Sequence, residues 1–175
     1  MRLDALTQLK NRAINVKRIA GSASELVIRD ILPMTDLGIA PAGIGAGVDN
    51  WWVVDIAAAI LPTPARINWI NIALAVNRML VIYGGAALSA NPMIATLFFQ
   101  SGPGGATVKG VVQVEACYAM LETAYYLAKG CLWDPQETVF ISFVPRINAA
   151  ADTDRHVLRG AIAEPLGEFL SGPVI

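Results

Sequence analysis

The chain has 175 residues, of which 55% are hydrophobic and 15% charged, with a formal net charge of −1, one histidine and two cysteines. That length fits one domain with its own core and leaves little for a second. Cys117 and Cys131 supply neither a disulfide framework nor zinc-type spacing, and a single imidazole is a poor start for a metal centre.

The charge is unevenly placed. Residues 1–18 hold Arg2, Lys10, Arg12, Lys17 and Arg18 against Asp4, so a basic arm precedes a weakly acidic body. Between Leu37 and Trp133 only Asp49, Asp55, Arg66, Arg78, Lys109, Glu115, Glu122 and Lys129 are charged. Soluble domains carry charge on about a quarter of their residues, so this middle predicts a surface covered by other subunits or by lipid. Five cations are too few to favour specific nucleic-acid binding, and contact with lipid or protein suits the arm better.

In chain order, Leu3, Leu6, Leu9, Ala13 and Val16 recur at three- and four-residue spacing, which predicts an amphipathic helix in a segment 1–20. Such a helix either packs on the protein's own barrel or lies on a membrane. Gly21 and Ser22 are expected to end it, and no uninterrupted apolar stretch of a secretory signal is present. Residues 25–32 are rich in β-branched side chains and stop at Pro33, as a short strand does. A glycine-rich loop from Thr35 to Asn50 follows, and Trp51 to Ile56 reads as the next strand.

The alternation from Ile67 to Tyr83 puts Asn68, Ile70, Ile72, Leu74 and Val76 on one face. The thirty residues from Met79 to Val108 are uncharged, but Gly84-Gly85, Asn91-Pro92 and Gly102-Pro103-Gly104-Gly105 read as turns that argue against a spanning helix. Met93 to Gln100, the alternating stretch Val108 to Tyr118, and Thr138 to Val144 are further strands; Ala119 to Ala128 suits strand or helix, with strand preferred. Six to eight short strands without alternating helices make an all-β sandwich or barrel, placed here at residues 21–147. Residues 148–175, with Pro165, Gly167, Gly172 and Pro173, are expected to form an irregular tail packed on the barrel or a neighbour.

Chemistry-bearing patterns are sparse. His156, in the charged stretch Asp152 to His156, has no convergent partners in the sequence and reads as a solvated loop residue or a salt contact between subunits. Gly43, Gly45 and Gly47 precede a strand instead of the helix a dinucleotide loop requires, and Gly102 to Gly105 lack the lysine of a phosphate loop. Glu115 and Glu122 are the best carboxylate pair for acid–nucleophile chemistry, but ion pairs with Lys109 and Lys129 are the more natural use. Trp51, Trp52, Trp69 and Trp133 are candidate interface aromatics. The residues therefore predict no enzyme, no catalytic set, no cofactor, no metal and no small-molecule substrate. A small-ligand or carbohydrate-binding β-barrel module is the alternative.

In size, in the basic amphipathic arm and in the segments ELVIRDILPMTDL (25–37), DNWWVVDI (49–56) and TVFISFVPRI (138–147), the chain resembles the small major capsid proteins of tailless, internal-membrane-containing icosahedral bacteriophages of Thermus. The resemblance rests on pattern across most of the chain. It implies a single jelly-roll barrel with a short N-terminal helix or arm, made in the host cytoplasm and resident in the virion. As partners it implies further copies of itself, a second capsid protein and the lipid of the internal membrane. Arg2, Lys10, Arg12, Lys17 and Arg18 are then the candidate membrane- or neighbour-contacting residues.

Overall fold

The computed structural model describes residues 2–15, 26–32, 36–37, 52–56, 66–87, 94–119, 124–146 and 152–165. Helix α1 (Arg2–Asn15) comes first, followed by strands β1 (Leu26–Asp30), β2 (Trp52–Ile56), β3 (Ile67–Ala73), β4 (Met79–Ala87) and β5 (Ile94–Ser101). A 3-10 turn (Pro103–Gly105), β6 (Thr107–Gln113), a short helix α2 (Val114–Ala119), β7 (Ala124–Trp133), β8 (Thr138–Pro145) and β9 (Asp152–Pro165) complete the order. The loop expected over 35–50 falls almost wholly outside the described residues, as do Lys17, Arg18, Trp51 and Glu122.

Two antiparallel sheets face one another. One runs β1-β9-β4-β7 with β2 also on β9, and the other runs β3-β8-β5-β6. β1 pairs with Ala161–Pro165 and β2 with Asp152–His156, so the two extend one another along a single edge of β9. Taken as two halves of one strand position, they turn the order into first–eighth–third–sixth against second–seventh–fourth–fifth. That wrapping is a single jelly roll. The chain is thus an all-β jelly-roll sandwich with a short N-terminal helix.

The inner faces of both sheets form the main core, with Leu80, Ile82, Leu127, Trp133, Leu158 and Ile162 from one and Ile70, Leu97, Phe99, Ile141 and Phe143 from the other. A second, smaller core lies on the outside of the five-stranded sheet. There α1 lays Ala5, Leu9 and Ala13 on Met79, Val81, Tyr83, Ala161 and Ala163. The arm thus packs on its own barrel, with Arg2 reaching Asp30 at 3.2 Å and Arg12 gripping Asp134 at 2.7 Å, while Lys10 stays exposed.

The double covering explains the first part of the uncharged run, β4. Every residue of β4 is buried, because its inward side chains meet the main core and its outward ones meet α1. A strand covered on both faces reads as continuously apolar, without period-two alternation. Among the described residues no helix is long and apolar enough to cross a membrane.

Several expectations are corrected. The tail placed at 148–175 contains β9, a 14-residue strand in the middle of its sheet. Its polar start disguised it, since Asp152 to Arg155 pair only with β2 at the sheet margin. The single pattern from Ile67 to Tyr83 is two strands folded back at a turn closed by the Arg78 amide on the Ala75 carbonyl, 3.1 Å, with Val76 exposed. The alternation from Val108 to Tyr118 breaks at Val114, where α2 begins, while the strand preference beyond is met from Ala124 onward.

Gly84 and Gly85 are not a turn. They sit mid-strand in β4, beside a register shift, opposite Tyr126 and Tyr125 of β7 and Arg159 and Leu158 of β9. A Cβ on Gly85 would meet the Val157 carbonyl oxygen and Cζ of Tyr125 at 2.5 Å, so the missing side chain is what lets a tyrosine lie across the strand. The glycines at 102–105 do form a turn, and Gly102, Gly104 and Gly105 all have positive φ.

Candidate functional site

The consecutive tyrosines of β7 point to opposite faces of the sheet, and each passes over one of the two glycines to a residue of β9. Inward, the Tyr125 hydroxyl meets His156 Nε2 at 2.7 Å. The imidazole is fully buried, with Trp69 edge-on at a ring separation of 5.6 Å and its Nδ1 without a hydrogen-bond partner. Burial lowers the His156 pKa to about 3 and, joined by the nearby Tyr118 and Cys117, raises that of Tyr125 well above the ordinary phenol. Both are therefore neutral at physiological pH. The expectation that His156 lies in a solvated loop or salt contact is corrected: it occupies the barrel interior, where no solvent reaches it.

Outward, Tyr126 lies across Gly84 toward Arg159, whose Nη1 donates to the Tyr126 hydroxyl at 2.7 Å. These two residues, with Arg2, Asp30, Tyr83 and Gly160, border a groove of about 370 Å³ beside α1. Burial chiefly, and the Asp30 carboxylate second, raise the pKa of the Tyr83 hydroxyl, against the opposing pull of Arg2 and Arg159.

A buried ionic cluster closes one end of the barrel. Arg29 forks onto Asp36 with two bonds of 2.7 Å and donates to Glu164 at 2.6 Å. Arg78 contacts the same acids at 3.7 and 2.9 Å, the latter without an aligned hydrogen bond. Both carboxylates are nearly or wholly buried, so the four groups offset one another's desolvation. The hydrogen bond to Asp36 outweighs the burial penalty on Arg29 and keeps its guanidinium firmly charged. The arrangement ties β1, β9 and the β3–β4 turn together and presents no reactive atom to solvent.

The four-stranded sheet is different in character. Its strands β3, β5, β6 and β8 contain one charged residue, Lys109, and that amine turns to Glu137 at 2.7 Å and toward the Trp133 ring. The register places Asn68, Asn71, Ala73, Phe98, Val108 and Val111 away from the core. Arg66, immediately before β3, stacks 3.8 Å from the Phe98 ring. Val108 and Val111 are about half exposed, whereas Gln100, Phe140 and Ser142 on the same face are buried, with the 3-10 turn lying against Phe140 and Gln100 and Gln100 bridging the Gly105 carbonyl and the Ser142 hydroxyl.

Two of the candidate aromatics, Trp69 and Trp133, have side chains among the described residues. Trp133 is fully enclosed, with its indole N–H on the Gln100 carbonyl at 2.9 Å, so it is a core residue and not an interface anchor. Trp69 is half buried and packs edge-on against Phe143 as well as His156. For Trp52 the backbone pairing with His156 places it on β2 at the sheet edge. Glu115 pairs with Arg146 at 3.0 Å and Lys109 with Glu137, in place of the pairing expected between Glu115 and Lys109. Cys131 lies in the core, where burial raises its thiol to about 11, and Cys117 is half buried; both are free cysteines.

Among the described residues no three or more His, Cys, Asp or Glu side chains gather in a way that could hold a metal ion. Sequence reasoning missed the groove altogether. Its one legible trace was the paired doublets Gly84-Gly85 and Tyr125-Tyr126, which acquire meaning only once β4 and β7 are known to be neighbours. No protein-family model matches the chain, and no curated protein and no solved structure matches it either.

Proposed function

We propose that the chain is a structural virion protein, a major capsid protein that associates with itself and with a second coat protein into an icosahedral shell around an internal membrane. The observation that carries this reading is the outer face of the four-stranded sheet, a jelly-roll wall whose strands hold a single charged residue and whose margin at Val108 and Val111 is about half exposed. A face of Asn, Ala, Phe and Val loses little desolvation energy when it meets a neighbour, whereas ionised groups would cost several kcal/mol each, roughly, if buried unpaired. The opposite wall is already occupied by α1, which leaves lateral packing to the charge-poor one. Shell subunits need only modest interfaces, on the order of 1,600 Å², because each copy makes several.

The alternative, a small-ligand or carbohydrate-binding module, called for two or more tryptophan rings exposed together. Trp133 is enclosed and Trp69 faces the core, so neither supplies such a pocket. The reading is tested by light scattering of the purified chain alone and mixed with a second coat protein. Dimers or larger species, and dissociation on placing a lysine at Phe98, are expected. A monomer at high concentration that ignores a second coat protein would refute it.

A further inference from the structure

We infer that the groove beside α1 is a binding site for a phosphate ester, a site separate from the charge-poor sheet and independent of the shell-protein reading. The reasoning starts from its charge. Arg2 and Arg159 face one carboxylate, Asp30, which leaves one positive charge over. Asp30 is engaged by Arg2, through two long bonds of 3.2 and 3.3 Å. Arg159 has no carboxylate partner among the described residues: its contacts are the Tyr126 hydroxyl and, at 5.8 Å, the Tyr126 ring. A guanidinium held by a phenol keeps donors free for an anion, and its planar fork suits phosphate oxygens.

Neutral donors converge on the same space. The Tyr126 hydroxyl accepts from Arg159 and so directs its own proton elsewhere, while the Tyr83 hydroxyl, raised above the ordinary phenol, stays protonated. The two arginines and two phenols thus form a donor-rich rim around a cavity with Ile31, Val157 and Leu158 in its lining. Its volume of about 370 Å³ lies at the small end of ligand sites and suits a glycerol phosphate or sugar phosphate better than a larger ligand. Position is fixed by the sheet: Gly84 has no side chain to push Tyr126 and Arg159 apart, so the pair is held across β4 by backbone register.

The phosphate could be carried by a free ester or by a lipid headgroup, and the test separates these. The full chain is titrated with glycerol phosphate, with glycerol, and with phosphatidylglycerol or phosphatidylcholine vesicles, and followed by calorimetry and by amide shifts at Tyr83, Tyr126 and residues 157–160. Saturable binding of glycerol phosphate but not glycerol is expected, weakened roughly tenfold or more in Arg159→Gln. Tyr126→Phe, which keeps the ring, is expected to weaken it less. Binding of phosphatidylglycerol vesicles alone, lost in Arg159→Gln, assigns the phosphate to lipid. No binding of either phosphate carrier at millimolar concentration, or binding unchanged in Arg159→Gln with the fold intact by circular dichroism, overturns the inference.

Discussion

Acid should weaken this fold through one residue, His156. Its imidazole is fully buried against Tyr125 and Trp69, and desolvation alone lowers its pKa from 6.5 to about 3. The unfolded chain therefore binds a proton below pH 6.5 that the folded chain refuses until about pH 3, and stability falls as pH falls through that window. Above pH 7 the residue contributes no slope. One proton corresponds to about 1.4 kcal/mol per pH unit, so the loss is about 2 kcal/mol at pH 5 and about 3 at pH 4. Against a total stability of roughly 5–15 kcal/mol, this is a large share from one side chain. Urea unfolding at intervals from pH 7 to pH 4 measures the slope, and the double variant Tyr125→Phe, His156→Leu removes it while keeping the interior apolar. The wild-type curve should fall more steeply than the variant's by the stated amount, with carboxylate titration common to both. Parallel curves would refute the argument.

Four further outcomes are expected. Gly85→Ala forces a methyl into the Val157 carbonyl and the Tyr125 ring, and should cost about 2 kcal/mol or more by denaturant melting, together with loss of the Tyr125–His156 contact. Leu9→Ala empties the centre of the helix–sheet contact and should cost about 2–4 kcal/mol, with α1 becoming cleavable by limited proteolysis before the barrel is. Arg29→Met leaves Asp36 and Glu164 buried with Arg78 as their remaining partner, and should lower stability by about 3 kcal/mol near neutral pH by the same melts. Phe98→Lys, on the outer face of the four-stranded sheet, should leave the melting temperature within a few degrees while reducing the assembled fraction by light scattering.

The amphipathic spacing of Leu6, Leu9 and Ala13 was enough to locate a helix, and β-branched runs ended by proline or glycine were enough to locate most strands. Both signals are local, since they express how a side chain meets its own backbone and its neighbours one turn or two residues away. The all-β class followed from them. Which elements lie side by side was not written locally. β9 looked like a tail because its polar beginning pairs only with β2, and its role as the central strand depends on partners more than sixty residues away in sequence. Gly84-Gly85 looked like a turn because sequence shows the flexibility of glycine and not the tyrosines that need its missing side chain. Trp133 looked like an interface anchor and His156 like a surface residue for the same reason: burial belongs to the packed sheets, not to the residue. The charge-poor middle was plain from composition, but tertiary structure divided it into a strand buried throughout, β4, and a second wall, the outer side of β3, β8, β5 and β6, where Gln100, Phe140 and Ser142 are buried and Val108 and Val111 stay about half exposed. Apolar character states how much surface must be hidden, and only the arrangement of the chain in space determines what hides it.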